Sequence, residues 1–291
     1  MKLASYNYNN TISIGAITEN GICPASKQYN GSNGMIRFLL AGELALNELK
    51  NKIDDSFNFL PLQAIQLLAP ISKPNKFFGV SLNYADHIEE IGLDKPKYPT
   101  FFNKQNSCII GMDDAIHKPL VSEKLDYEGE LGIVIGKRCR HVSREQANNV
   151  IAGFTIVNDV SVRDWQMRSH TWTLGKSFDT HGPIGPCIVT PDEISEPHKL
   201  YIKTWVNKEL RQNFNTEHML FDCYYLIEYL TKVMTLEPGD IIATGTSSGV
   251  GVKMEPRGYM KAGDEVKIEI EKIGVLKNPI IEEPESSGFI D

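Results

Sequence analysis

The sequence predicts an α+β protein dominated by short strands, with a small N-terminal α/β domain ahead of a larger one. Short runs of β-branched and aromatic residues recur along the chain, and two stretches carry an amphipathic helical pattern. The 15 prolines and 23 glycines punctuate both kinds of element, as a compact, turn-rich fold requires. A hydrophobic share of 41% over 291 residues is enough to bury a full core.

Taken in order, Thr11 to Ile17 reads as a strand, and Ile36, Leu39, Leu40, Leu44 and Leu49 approximate helical spacing over about 35 to 52. Two prolines in Leu68-Ala69-Pro70-Ile71-Ser72-Lys73-Pro74 then break regular structure, which places a domain boundary near residue 70 and predicts domains at 1–70 and 71–291. Asp126 to Gly136 reads as a strand. Ser143-Arg144-Glu145-Gln146 has the capping-box form and predicts a helix stopping near Gly153. Phe154 opens another strand. Tyr201 to Val206, Asp240 to Thr244 and the alternating Glu265 to Ile270 are further strands. A helix starting near Asp222 carries Cys223, Leu226, Ile227, Leu230, Val233 and Met234 on one face, and Pro238-Gly239 is its expected stop.

Bulk properties exclude several functions. A formal charge of −7 leaves no basic footprint for nucleic acid. The N-terminus has no apolar signal core and no run is long enough to span a bilayer, so the expected location is cytoplasmic, without a membrane partner. Five scattered cysteines without a Cys-x-x-Cys pair read as free thiols of a reducing compartment. The loop Gly245-Thr246-Ser247-Ser248-Gly249-Val250-Gly251 lacks the Gly-Lys-Ser/Thr ending of a phosphate-binding loop.

Chemistry enters where acids interrupt strands. Glu128 and Glu130 lie on one face of the same run, about 7 Å apart. Asp159 interrupts a second run, and a buried acid without a partner costs several kcal/mol or takes up a proton. A hard cation such as Mg²⁺, Mn²⁺ or Ca²⁺ would answer both problems, since all three take oxygen ligands. Spacing alone fits an exposed, wet-faced edge strand equally well. In Asn83-Tyr84-Ala85-Asp86-His87-Ile88-Glu89-Glu90, a helix would bring His87 and Glu90 to one face, where a carboxylate can orient an imidazole as a general base. A solvated surface histidine explains the same pattern. Arg163 and Gln166 follow Asp159 at four and seven residues, so a helical turn would set them on its side. Lys176 sits beside Gly175, where an ordinary surface lysine is the alternative.

Asp126-Tyr127-Glu128-Gly129-Glu130-Leu131, Asn158 to Asp164, Gly175 to Thr180, Thr235 to Ile242 and Gly245-Thr246 together resemble the fumarylacetoacetate hydrolase superfamily, in order and spacing over residues 70 to 280. The resemblance implies a fumarylacetoacetase-like mixed β-sandwich roll and a homodimer. It also implies Mg²⁺ or Mn²⁺ held by Glu128, Glu130 and Asp159, and a water-activating dyad of His87 and Glu90. Lys176 would act on a substrate oxygen, while Arg163, Gln166 and Thr246 would bind substrate. Leu93 to Pro99, polar and proline-bearing, fits a lid over the site. Family members commonly have Gly-Thr-Pro where this chain has Gly245-Thr246-Ser247, which removes no ligand but predicts a looser loop.

The implied reaction is metal-dependent hydrolysis of a C–C bond in a 2,4-dioxo acid, an acylpyruvate or a relative of one, with His87 and Glu90 activating water. Oxaloacetate decarboxylation, dehydration of a 2-oxo-3-deoxy sugar acid and isomerisation of an oxo-diacid use the same enolate logic. Of a different class is a catalytically silent, metal-stabilised binding protein, which would need only the acids. A cupin-like metal enzyme lacks support, because its clustered histidines are missing.

Overall fold

The computed structural model describes residues 1–55, 58–92 and 94–289. Two sheets make up the core. In spatial order the larger runs Gly21–Pro24, Thr11–Thr18, Lys2–Tyr8, Gly182–Val189, Ile151–Asn158, Gly129–Ile135, Ile241–Ala243, Phe77–Ser81 and Thr100–Asn103. Glu209–Asn215, Tyr201–Val206, Glu265–Ile270, Gly274–Glu282 and Ile116–Lys118 form the second.

Side-chain alternation on Gly129–Ile135 explains the layering. Leu131, Ile133 and Ile135 point into a core shared with Ile202, Ile268 and Ile270 of the second sheet and with Leu226, Ile227 and Leu230 of the helix Cys223–Val233. Val134 faces the other way and packs with Val157 and Ile184 against Met35, Phe38 and Leu49 of the N-terminal helix Gly34–Asp55. The strand is buried on both faces, so its interior is almost wholly apolar. The N-terminal strand pairs with the later one through Lys2↔Val189 and Leu3↔Ile188, making the sheet continuous across residue 70.

Several local expectations need correction. The 126–136 run is two strands, Leu125–Asp126 and Gly129–Ile135, and Leu125–Asp126 pairs with Ser161–Val162 instead of extending the longer strand. After Ser143 there is a 3-10 helix, Arg144–Val150, and Gly153 lies in the next strand rather than ending a helix. The physical reason is close approach: a Cβ at Gly153 would collide with the carbonyl oxygen of Val189 across the sheet. The helix capped by Asp222, whose side chain accepts from the Tyr225 amide, stops at Val233, because Met234 is extended and Leu236 bridges to Cys139. On the N-terminal helix Leu39 and Leu49 are buried but Leu40 and Leu44 are exposed, since Gly42 adopts φ 61° and turns the helix face there.

Candidate functional site

The three acids meet because of strand register. Gly129 pairs with Asn158 and Glu130 with Val157, so Glu128 and Asp159 stand side by side at the end of an antiparallel pair. The Asp159 amide donates to the Glu128 carbonyl at 2.9 Å, and the Glu128 amide to the Asn158 side chain at 3.1 Å. Glu130, two residues along the same face, completes a buried group whose ligand oxygens lie within 4.8 Å of one another. Residues 31 apart in sequence thus become neighbours.

Cations surround this group. Lys176 Nζ donates to Glu128 Oε2 and to Asp159 Oδ2, each at 2.6 Å. Arg163 Nη1 donates to Glu128 Oε1 at 2.7 Å, and Nε to Asp126 Oδ2 at 2.8 Å. Lys104 Nζ donates to Asp159 Oδ1 at 2.7 Å and also to the Lys176 carbonyl. Four carboxylates (Asp126, Glu128, Glu130, Asp159) therefore face three cations (Lys104, Arg163, Lys176).

The unmatched charge falls on Glu130, whose hydrogen bond comes from the Gly245 amide at 2.7 Å. Burial, then repulsion from Asp159 and Glu128, pushes its carboxyl well above the usual carboxylate range. Burial also pushes Glu128 upward, but the charges of Lys176 and Arg163 outweigh it and leave that carboxyl well below the usual range. A divalent cation fits this donor set: it takes carboxylate oxygens, and it would remove the repulsion that the three ammonium and guanidinium groups leave at Glu130.

The helix Ala85–Ile91 brings the histidine over this group. Asn83 fixes where it starts: its side-chain nitrogen donates to the Phe221 and Thr244 carbonyls at 3.0 and 2.7 Å, and its oxygen accepts from the Phe221 amide. Tyr84 is buried with its ring edge-on to Phe214. His87 Nδ1 lies 3.1 Å from Glu90 Oε2, and Glu90 Oε1 accepts from the Gly249 amide at 3.0 Å. Burial raises the Glu90 carboxyl, but the hydrogen bonds from His87 and Gly249 outweigh it, so the group sits below its ordinary range. An ionised carboxylate only accepts, so the hydrogen of this contact lies on His87 Nδ1, and Nε2 is not engaged by Glu90. Leu93, the first residue of the segment read as a lid, lies outside the described residues; Asp94, Lys95, Lys97 and Tyr98 are exposed.

A cavity of about 390 Å³ connects these groups, with His87, Glu128, Glu130, Arg163, Gln166 and Lys176 in its wall. Thr246 lines it too, though its hydroxyl already donates to the Gly129 carbonyl and accepts from Gln212 Nε2, each at 2.9 Å. Ser247, where the family commonly has proline, is buried with no hydrogen-bond partner for its hydroxyl, and its carbonyl accepts from Gln212. Arg163 Nη2 is a buried donor with no protein partner, which suits an incoming anion.

Arg163 and Gln166 reach the site by a different route from the helical turn expected after Asp159. Ser161–Val162 is extended, and the short helix begins at Arg163. It is the pairing of 161–162 with 125–126 that sets the guanidinium between Asp126 and Glu128. Gly175 allows the next turn to pack on this helix, since a Cβ there would collide with the backbone N and Cα of Gln166. Gly175→Ala should lower stability by about 1–3 kcal/mol in urea unfolding and lower activity as well, by displacing Gln166 and Lys176 together.

Sequence reading missed Lys104, Asp126 and Gln212. Asp126 accepts from the Gly251 and Val252 amides as well as from Arg163. Gln212, on the second sheet, accepts from the Gly129 amide at 3.1 Å and thereby ties the acid-bearing strand to the 246–248 loop. Asp126 stands inside the quoted Asp-Tyr-Glu motif, which was its available signal. A lone lysine or glutamine gives none.

The family description "Fumarylacetoacetate (FAA) hydrolase C-terminal" matches residues 76–281. This chain belongs to the fumarylacetoacetate hydrolase family. Within the family it is 44% identical over 249 residues to the mitochondrial oxaloacetate tautomerase fahd2 of Xenopus laevis, covering 85% of this chain and 78% of the relative. Maleylpyruvate hydrolase from Sphingobium sp. SYK-6, solved with manganese(II) ion and pyruvate, superposes with a TM-score of 0.81 at 30% identity over 98% of this chain and all of that one. For 5-carboxymethyl-2-hydroxymuconate delta-isomerase from Mycobacterium smegmatis the TM-score is 0.78 at 34% identity, over 97% of this chain and all of that one. These family members are enzymes of more than one reaction type, and among the described residues no helix is long and apolar enough to cross a membrane.

Proposed function

We propose that the protein is a divalent-metal-dependent enzyme that interconverts the enol and keto forms of a 2-oxo acid, with oxaloacetate as the first substrate to test. The observation that carries this reading is the placement of His87, Glu128 and Glu130 in the wall of one cavity, with the Asp159 carboxylate within 4.8 Å of the two glutamates. Similarity to the Xenopus laevis oxaloacetate tautomerase supports the choice of substrate.

Glu128, Glu130 and Asp159 would hold the ion, which supplies Lewis-acid polarisation of the 2-oxo group. Arg163 binds the 1-carboxylate through its free Nη2, and Gln166, hydrogen-bonded to Arg163 Nη1 at 3.1 Å, keeps that guanidinium in place. His87 Nε2 removes a proton from C3 while Lys176 gives one to O2, and the imidazolium returns a proton to Lys176 through solvent. One C–H bond breaks and one O–H bond forms, so substrate and product have the same composition. Glu90 holds the ring tautomer and stabilises the imidazolium.

Hydrolysis of a 2,4-dioxo acid is the second reading. There His87, with Glu90, takes a proton from water attacking C4, and pyruvate and a carboxylic acid leave. The Sphingobium hydrolase, solved with pyruvate, supports it. Mg²⁺ as the resident ion and a homodimer complete the reading. The five free thiols support a reducing compartment such as the cytoplasm.

Ultraviolet decay of the oxaloacetate enol, followed with Mg²⁺, Mn²⁺ or excess chelator, tests the proposal. Metal-dependent acceleration that chelator removes is the expected result. If the enol decays at the solution rate and acylpyruvates yield pyruvate, the hydrolase reading replaces it.

A further inference from the structure

Beyond the head-binding groups, the cavity wall carries one charged side chain with no hydrogen bond or ion pair among the described residues, Lys253. It ends the 3-10 turn Gly251–Lys253 and stands exposed at the mouth. After the hydrogen bonds from His87 and Gly249 and the charge of His87, the Lys253 charge also helps hold the Glu90 carboxyl down. Apolar side chains, including Phe102, Trp172 and Val252, line the same cavity.

What fixes Lys253 relative to the head-binding arginine is one buried carboxylate. Asp126 Oδ1 accepts from the Gly251 amide at 2.8 Å, and Oδ2 from the Val252 amide at 2.9 Å, pinning the turn that ends in Lys253. The same Oδ2 accepts from Arg163 Nε at 2.8 Å. Asp126 is fully buried, so both attachments are shielded from water. Two cations with unused donors are thereby set on a common anchor in one cavity, Arg163 buried and Lys253 exposed.

We propose that Arg163 and Lys253 form a two-cation gauge for 2-oxo dicarboxylic acids, in which Arg163 takes the 1-carboxylate and Lys253 the distal one. The inference rests on the 2-oxo acid reading above and adds the residue that selects diacids over monoacids. A monoacid leaves Lys253 unpaired; a diacid gives it a charge-assisted hydrogen bond.

The test compares 2-oxoglutarate with 2-oxopentanoate, which share a five-carbon chain and differ in the distal carboxylate, by calorimetric binding to the Mg²⁺-loaded protein. The unmodified protein should prefer the diacid about tenfold. Lys253→Met should bring that ratio to near one, and Lys253→Arg should keep most of it. A ratio near one in the unmodified protein, an unchanged ratio in Lys253→Met, or no binding of either acid overturns the proposal. Discrimination by Lys253 together with no action on oxaloacetate would instead overturn the proposed reaction and leave the gauge standing.

Discussion

Glu130→Gln should abolish divalent-cation binding and lower kcat/KM by at least about 1,000-fold, a loss on the scale of several kcal/mol of charge stabilisation supplied by a bound ion. The metal-free fold should tolerate it. Glutamine still offers an oxygen to the Gly245 amide, and the substitution removes a carboxylate that burial, Asp159 and Glu128 all disfavour in its charged form. A folded-state carboxyl whose pKa stands above its unfolded value costs nothing at acid pH and destabilises as pH rises past the unfolded value. At neutral pH without metal, the variant should therefore melt at the same temperature as the parent or higher. Mn²⁺ calorimetry and thermal melts with and without chelator check both halves. Retained Mn²⁺ affinity in a folded variant would remove the acid triad from the account.

His87→Ala should lower kcat by roughly 100- to 10,000-fold, the range expected for loss of a positioned general acid or base. The metal should still bind, because His87 touches none of the three acids by hydrogen bond and its partner is Glu90. KM should change little, since the carboxylate readers are elsewhere. Steady-state kinetics alongside Mn²⁺ calorimetry separate this variant from Glu130→Gln: one loses turnover with the ion in place, the other loses the ion. Wild-type kcat in a folded, metal-loaded His87→Ala protein would transfer the proton-moving role to another group, with Lys176 next in line by position.

Much of the architecture was legible because it follows from local pattern. Tyr201 to Val206 and Glu265 to Ile270 were bounded correctly, the second from its alternation with charges, and the helix Cys223–Val233 starts beside Asp222 as its apolar face indicates. Ends were harder. Gly153 and Pro238-Gly239 look like helix stops, but glycine at 153 serves a close strand contact and the second helix stops earlier, where Leu236 takes a bridge to Cys139. Neither contact is local, so no propensity could signal it.

In the same way, the sequence by itself determined which residue types this site has to work with: paired acids on one strand face, a third interrupting a second β-rich run, and a histidine three residues before a glutamate. Alternation and helical spacing are properties of the backbone, and they hold before any packing occurs. Whether those acids faced solvent or each other depended on the pairing of Gly129 with Asn158, which only the assembled sheet sets. Tertiary structure also decided that Lys104 and Lys176 are buried against Asp159, and that Asp126 anchors both Arg163 and the turn ending in Lys253. A charge reads as a surface residue in one dimension; only three-dimensional burial, which makes an unpaired charge too costly to keep, turns it into a partner.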